Sequence, residues 1–400
     1  MQWWLLGLGA LSAALGVNVL RPLRWPSAVG LLAFWLGWTV GDLPAYALLL
    51  QGVVAAGLIA QGALVGWPGW LGLGLLVAGL AALLKGHAVA HSGQGIMDQA
   101  LREMGVPEDR DRWVSQRLLW PFLGVAPGVR QVHREAIGRV DGWTQHADVF
   151  HPDGDGADRP VLVFVHGGGW VSSFREFQGL PLMFRLVRRG WTCIRISYRL
   201  SPRATFPEHL KDVKRGLAWA RRNAHRWGGN PDRFFALHGN SAGAHLAALA
   251  ALTPNDPAYQ DDGSDTSVDV CVPIYGPMDL TNRHGRWGPE FRWFMRWLVI
   301  KQPFGHAAWT EASPIDRIGE APPPFFVVHG TADSLVPVQE SRAFAEAMRA
   351  AGHACDLVEI PGGQHALDVF QSRKGVVAAS GITRWLQHQL ALADGDGRPA

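Results

Sequence analysis

Arg233-Phe-Phe-Ala-Leu-His-Gly239-Asn240-Ser241-Ala242-Gly243-Ala-His-Leu-Ala247 is the stretch that decides the fold. An apolar, strand-like run enters Gly-x-Ser-x-Gly and leaves directly into an alanine-rich, helical stretch. The two glycines permit a close, strained strand-to-helix turn that projects the Ser241 hydroxyl beyond a sheet edge. Ser241 also stands at a helix start, where the dipole favours the anion formed on nucleophilic attack. With 48 glycines in 400 residues the pentapeptide alone carries little weight, and the strand before and helix after it supply the rest.

Working outward, Val161-Leu-Val-Phe-Val-His166-Gly167-Gly168-Gly169-Trp170 places three glycines directly after a second strand-like run. Consecutive glycines let backbone N–H groups point at one spot, as an oxyanion site needs. Gly168, Gly169 and Ala242, the residue after the nucleophile, are the expected donors. The run lacks the Lys-Ser/Thr of a phosphate loop and the spacing of a dinucleotide fingerprint.

A serine hydroxyl needs a base, and the base needs an acid to hold its tautomer. Among 16 histidines, position selects His365 in Pro361-Gly-Gly-Gln-His365, a loop after the strand-like Asp356–Ile360. Asp333, just past the run Phe325–Val328, is the expected acid, and Asp279 after Val268–Ile274 is a rival. His166 and His329 read as structural, and His245 faces along the helix that follows Ser241. Apolar runs at Val161–Val165, Thr192–Tyr198, Arg233–Leu237, Val268–Ile274 and Phe325–Val328 alternate with amphipathic stretches. That alternation predicts a mostly parallel sheet covered on both faces, with Ser241, Asp333 and His365 at the carboxyl ends of strands.

Four motifs in order carry a family resemblance: His166–Trp170; Ser197-Tyr-Arg-Leu-Ser-Pro202 with Phe206-Pro207 and Asp212; Gly239–Gly243; and His329–Pro337 with His365. From about Arg159 to Leu392 the chain resembles the α/β-hydrolase superfamily, in the branch that includes hormone-sensitive-lipase-like esterases. Asn240, where those members usually carry Asp, and the His-Gly-x-x-Asp-x-x-Val-Pro acid motif are closer to isoprenylcysteine-methylesterase-like and carboxylesterase neighbours. The resemblance implies an α/β-hydrolase fold and a serine esterase or lipase with no metal or organic cofactor. It also implies Ser241 as nucleophile, Asp333 as acid, His365 as base, and Gly168, Gly169 and Ala242 as oxyanion donors. Asp212 would lock the Tyr-Arg loop. An acyltransferase or amidase using the same triad, or a silent hydrolase-like binding module, are the competing readings.

Composition divides the chain. Net charge is +3, from 37 basic and 34 acidic residues, which leaves no nucleic-acid footprint. Three cysteines are too few and too scattered for a disulfide framework or zinc cluster. The mean hydropathy of +0.03 averages unlike halves. From Met1 to Leu84 the only charged side chains are Arg21, Arg24 and Asp42.

Trp3–Leu20, Trp25–Val40, Leu43–Val65 and Trp70–Leu84 read as transmembrane spans, four in all, with three as the alternative. Arg21 and Arg24 belong on the cytoplasmic side. Four spans then place the remainder outside the cytoplasm, and three leave it inside. The expectation is a multi-pass membrane protein with an extracytoplasmic catalytic domain. The expected divisions are a transmembrane region at 1–85, a helical connector or cap at 86–158, and a catalytic domain at 159–395. Within the last, 282–312 is a cap-like insertion rich in Trp and Phe, suited to an acyl pocket or to the bilayer. The expected partners are an ester or lipid substrate and the membrane.

Overall fold

The computed structural model describes residues 1–24, 27–108, 127–154, 156–173, 175–260 and 262–395. Four helices come first: α1 (Gln2–Leu20), α2 (Ser27–Asp42), α3 (Pro44–Ala60) and α4 (Trp67–Glu103). Eight strands follow: β1 (Val129–Val140), β2 (Trp143–Pro152), β3 (Val161–Val165), β4 (Thr192–Ile196), β5 (Phe235–Asn240), β6 (Val270–Ile274), β7 (Phe325–Gly330) and β8 (Cys355–Ile360). Interleaved with them are α5 (Leu180–Arg188), α6 (Glu208–Asn223), α7 (Ala242–Leu252), α8 (Pro289–Phe294), α9 (Ala307–Glu311), α10 (Gln339–Ala350) and α11 (Arg373–Ala393).

The strands form one sheet in the order β1-β2-β4-β3-β5-β6-β7-β8. It is parallel from β4 to β8, with β1 and β2 antiparallel at one edge. The strands β3 to β7 are buried along their whole length, so they carry continuous apolar runs rather than alternation. One core cluster on each face holds the layers together, with Leu217, Leu246 and Phe344 on one side and Phe184, Trp385 and Leu386 on the other.

The helical connector expected at 86–158 is corrected in two ways. The helix begun at Trp67 runs unbroken to Glu103, so no break in secondary structure falls at Lys85. Beyond the undescribed stretch 109–126, β1 and β2 are strands of the sheet. β1 is the part-exposed edge strand, and β2 is buried over Ala147–Phe150 but carries Gln145, His146 and Asp148, so neither offers a long apolar run for composition to register.

The N-terminal helices pack through small residues. A Cβ on Gly9 would stand 2.1 Å from Gly72 O, one on Gly16 would stand 2.8 Å from Gly79 O, and one on Gly86 would stand 2.6 Å from Val19. The contacts climb both helices together, so α1 and α4 run parallel with their backbones touching, a packing that suits helices in an apolar solvent. α3 runs the other way: Ala55 and Ala63 pack with Leu5 and Leu76, near the N-terminal ends of α1 and α4. By length and composition α1 and α4 are long and apolar enough to cross a membrane. α2 and α3 meet at 93°, so if the bent pair counts as one span there are up to three candidate spans among the described residues, against the four, or alternatively three, expected from sequence.

α4 ties this unit to the sheet. Its lower half packs Met97 against Gly381 of α11, and Asp98 pairs with Arg384 at 2.5 Å. Arg24, just before α2, donates to Thr331 O at 2.9 Å, beside the Asp333 loop.

Candidate active site

The turn between β5 and α7 is built around Ser241, which holds φ 53° and ψ −122°, a conformation an L-residue keeps only under constraint. A Cβ on Gly239 would come within 2.3 Å of Gly243 O, and one on Gly243 within 2.1 Å of Val165 O. Both flanking glycines are therefore dictated by close backbone approach. Ser241 N–H is spent on Ile274 O at 3.0 Å, which pins the turn to β6.

His365 Nε2 lies 2.8 Å from Ser241 Oγ, and its Nδ1 lies 2.7 Å from Asp333 Oδ2. A carboxylate can only accept, so Nδ1 carries the proton and Nε2 is left to accept from the serine hydroxyl. Asp333 is fully buried behind β7. Its Oδ1 accepts from Leu335 N and Val336 N at 2.9 and 2.8 Å. Burial alone pushes this carboxyl up, but the adjoining His365 and His329 rings and their hydrogen bonds hold it well below the usual carboxylate range.

His329 reaches Asp333 Oδ2 at 3.2 Å and Val336 O at 3.0 Å through Nε2. Its Nδ1 accepts from Ser341 Oγ at 2.7 Å. It supports Asp333 and does not face Ser241. The rival Asp279 is used elsewhere: its oxygens accept from Thr281 N and Arg283 N, both at 3.0 Å.

The glycine loop after β3 lies against Ser241. A Cβ on Gly167 would stand 3.0 Å from the Ser241 Cβ. Gly168 and Gly169 adopt φ 122° and 61°, and Gly168 O accepts from Val171 N and Ser172 N. Tyr198 holds the loop from below, donating to His166 O at 3.0 Å with the two rings stacked at 4.4 Å. Burial depresses His166 to about 4, so its ring is neutral. Asp212 accepts from Arg199 N and Nε at 2.9 and 2.8 Å, locking the Tyr-Arg loop.

Several supporting groups escaped the sequence reading. Gln364 Oε1 accepts from Ser334 N at 2.7 Å and His365 N at 2.9 Å, which fastens the acid loop to the base loop. Asp368, three residues past His365, accepts from Tyr275 Oη and from Asn240 Nδ2. Burial pushes the Asp368 carboxyl up to about 7. The amide at 240 thus faces a carboxylate, where an Asp would place two acids in contact.

The cavity over Ser241 holds about 850 Å³. Trp287, Phe291, Trp293 and Phe294 of the 282–312 insertion line one side. Phe34, Trp35 and Trp38 of α2 line another, a contribution no local pattern indicated. Among the described residues no cluster of His, Cys, Asp or Glu has the makings of a metal site.

The BD-FAE family matches residues 147–348, a span that holds Ser241 and Asp333. The chain belongs to the BD-FAE family. It is 34% identical to the probable carboxylic ester hydrolase LipM of Mycobacterium tuberculosis, over 98% of this chain and 94% of that one. It is 43% identical to the esterase LipQ of the same organism, over 73% of this chain and 68% of that one. Among solved structures, Thermogutta terrifontis esterase 2 phosphoramylated by tabun superposes with a TM-score of 0.54. That match has 26% identity and covers 68% of this chain and 97% of the esterase. This BD-FAE member is an α/β-hydrolase and a serine hydrolase of carboxylic esters.

Proposed function

We propose a membrane-anchored serine carboxylesterase that works through an acyl-enzyme on Ser241. Ser241 Oγ attacks the ester carbonyl as His365 Nε2 takes its proton, and the buried Asp333 stabilises the imidazolium. The N–H groups of Gly168, Gly169 and Ala242 receive the oxyanion. His365 then protonates the leaving alcohol, and water activated by the same ring releases the acid. The observation that carries this reading is the unbroken line Ser241–His365–Asp333, with contacts of 2.8 and 2.7 Å. Ser241→Ala is expected to abolish hydrolysis of p-nitrophenyl butyrate without unfolding the chain, and unchanged turnover contradicts the assignment.

For the anchor, α1, α3 and α4 serve as three crossings, with α2 lying across the membrane surface. α3 has 17 residues, about 26 Å of helix, at the short end of what spans a bilayer core. α1 and α4 run parallel towards the catalytic domain, and Arg24 is bonded to Thr331. Arg21 and Arg24 therefore share a side with that domain, and the positive-inside rule makes it the cytoplasmic side. This replaces the four-span expectation, which separated the two. A cysteine at the exposed Glu346 of α10, Glu346→Cys, would be shielded from an impermeant maleimide in intact cells and labelled in inverted vesicles. Labelling in intact cells reverses the orientation.

A further inference from the structure

One wall of the catalytic cavity comes from outside the hydrolase domain. α2 lies lengthwise over the loops that carry the triad. Just before it, Arg24 donates to Thr331 O; midway along, the ring of Phe34 meets the His365 ring edge-on at 5.9 Å; and one turn further on, Trp38 Nε1 donates to Ala366 O at 3.0 Å. Trp38 also stacks on Phe370 at 4.4 Å. At the C-terminal end Asp42 pairs with Lys374 at 2.8 Å, both side chains buried. Two of the three charged residues before Leu84 are thus used to seat α2 on the catalytic domain.

The opposite face of α2 is apolar and open. Leu32 is 60% exposed and Leu36 38%. At the cavity rim Trp35 is 48% exposed, and across the opening Trp293 is 60% exposed. An opening rimmed by aromatic and leucine side chains is unfavourable in water and favourable at a bilayer surface, where tryptophans concentrate. The orientation agrees. α2 makes an angle of 93° with α3, so when α3 crosses the bilayer α2 lies along its surface, with the cavity on one flank and lipid on the other.

We infer that α2 is a fixed wall of the acyl-binding site and that the substrate is a long-chain ester dissolved in the bilayer. Its chain reaches Ser241 through the opening between α2 and the Trp287–Phe294 segment. The cavity, at about 850 Å³, lies in the upper part of the range of roughly 300–1,000 Å³ for small-molecule sites. This rests on the reading of Ser241 as nucleophile, and the test separates the two.

The full chain in phosphatidylcholine nanodiscs is treated with a long-chain alkyl fluorophosphonate bearing a diazirine midway along its chain. Ser241 Oγ forms the bond to phosphorus, fluoride leaves, and His365 takes the proton. Irradiation followed by peptide mapping is expected to find the probe on Ser241 and cross-linked within residues 27–42. Labelling of Ser241 with cross-links only to catalytic-domain walls overturns the role of α2. No label on Ser241 overturns the nucleophile assignment instead. In the same nanodiscs, turnover of a hexadecanoyl ester should follow its mole fraction in the lipid. A rate set by bulk concentration overturns the bilayer source.

Discussion

Asp42 Oδ1 and Lys374 Nζ stand 2.8 Å apart in the interior, joining the end of α2 to the start of α11. Lys374 also donates to Gly362 O at 3.1 Å, in the turn that leads to His365. A lone acid in an apolar helix is thereby matched to a cation on the catalytic domain, and the pair fixes how the two units meet.

Removing one partner of a buried pair strands the other charge. Asp42→Ala should therefore cost about 3–5 kcal/mol, read as a lowered unfolding temperature in detergent. The double variant Asp42→Asn/Lys374→Met should recover part of that loss. A single variant as stable as the parent contradicts the role given to the pair.

Asp333→Asn keeps the shape of the acid but removes the charge that holds the His365 tautomer. By analogy with other triads, turnover should fall by about 10⁴-fold while Ser241 and the fold remain. Steady-state kinetics on p-nitrophenyl butyrate, with circular dichroism as the folding control, check this.

Asp368 gives a pH-dependent prediction. Burial raises its carboxyl to about 7, beside Tyr275 and Asn240 and within the field of Asp42. The unfolded chain loses this proton near the ordinary value of about 4, whereas the folded chain holds it until about 7. Stability from this group is therefore greatest below about 4, declines as pH rises towards 7, and levels off above. Asp368→Asn removes the titration, so the variant should gain on the parent between these limits. A difference between the two that is flat with pH argues against it.

Gly30 lines the cavity on α2, and a side chain there takes space from the acyl chain. Gly30→Trp should lower the ratio of hexadecanoyl to acetyl ester turnover by about tenfold or more. Labelling of Ser241 by a small fluorophosphonate checks that the site remains assembled. An unchanged ratio removes Gly30 from the chain's path.

The candidate site was legible because its residues sit in short local turns. Gly239 and Gly243 are forced by backbone approach at the Ser241 turn, and Asp333 and His365 each follow an apolar strand. The buried strands read correctly for the same reason, since burial on both faces demands a continuous apolar run. β1 and β2 did not, because β1 mixes Arg, His and Glu with Val and Ile, and Gln145, His146 and Asp148 interrupt the apolar residues of β2.

The seating of α2 was invisible for a different reason. Trp38 and Ala366 lie 328 residues apart, and no local spacing reports their contact. Asp42 stood out in the sequence as a charge among apolar residues, but its partner belongs to another domain. Asn240 likewise read as a departure from a motif until Asp368 supplied the reason for an amide there.

In the proposed reaction Ser241 carries the acyl group. Rapid acid quench of the full chain during turnover of p-nitrophenyl butyrate, followed by peptide mass mapping, tests it directly. A butyryl adduct is expected on the peptide containing Ser241, absent from Ser241→Ala. Undiminished turnover in Ser241→Ala, or an adduct on a different residue, would contradict it.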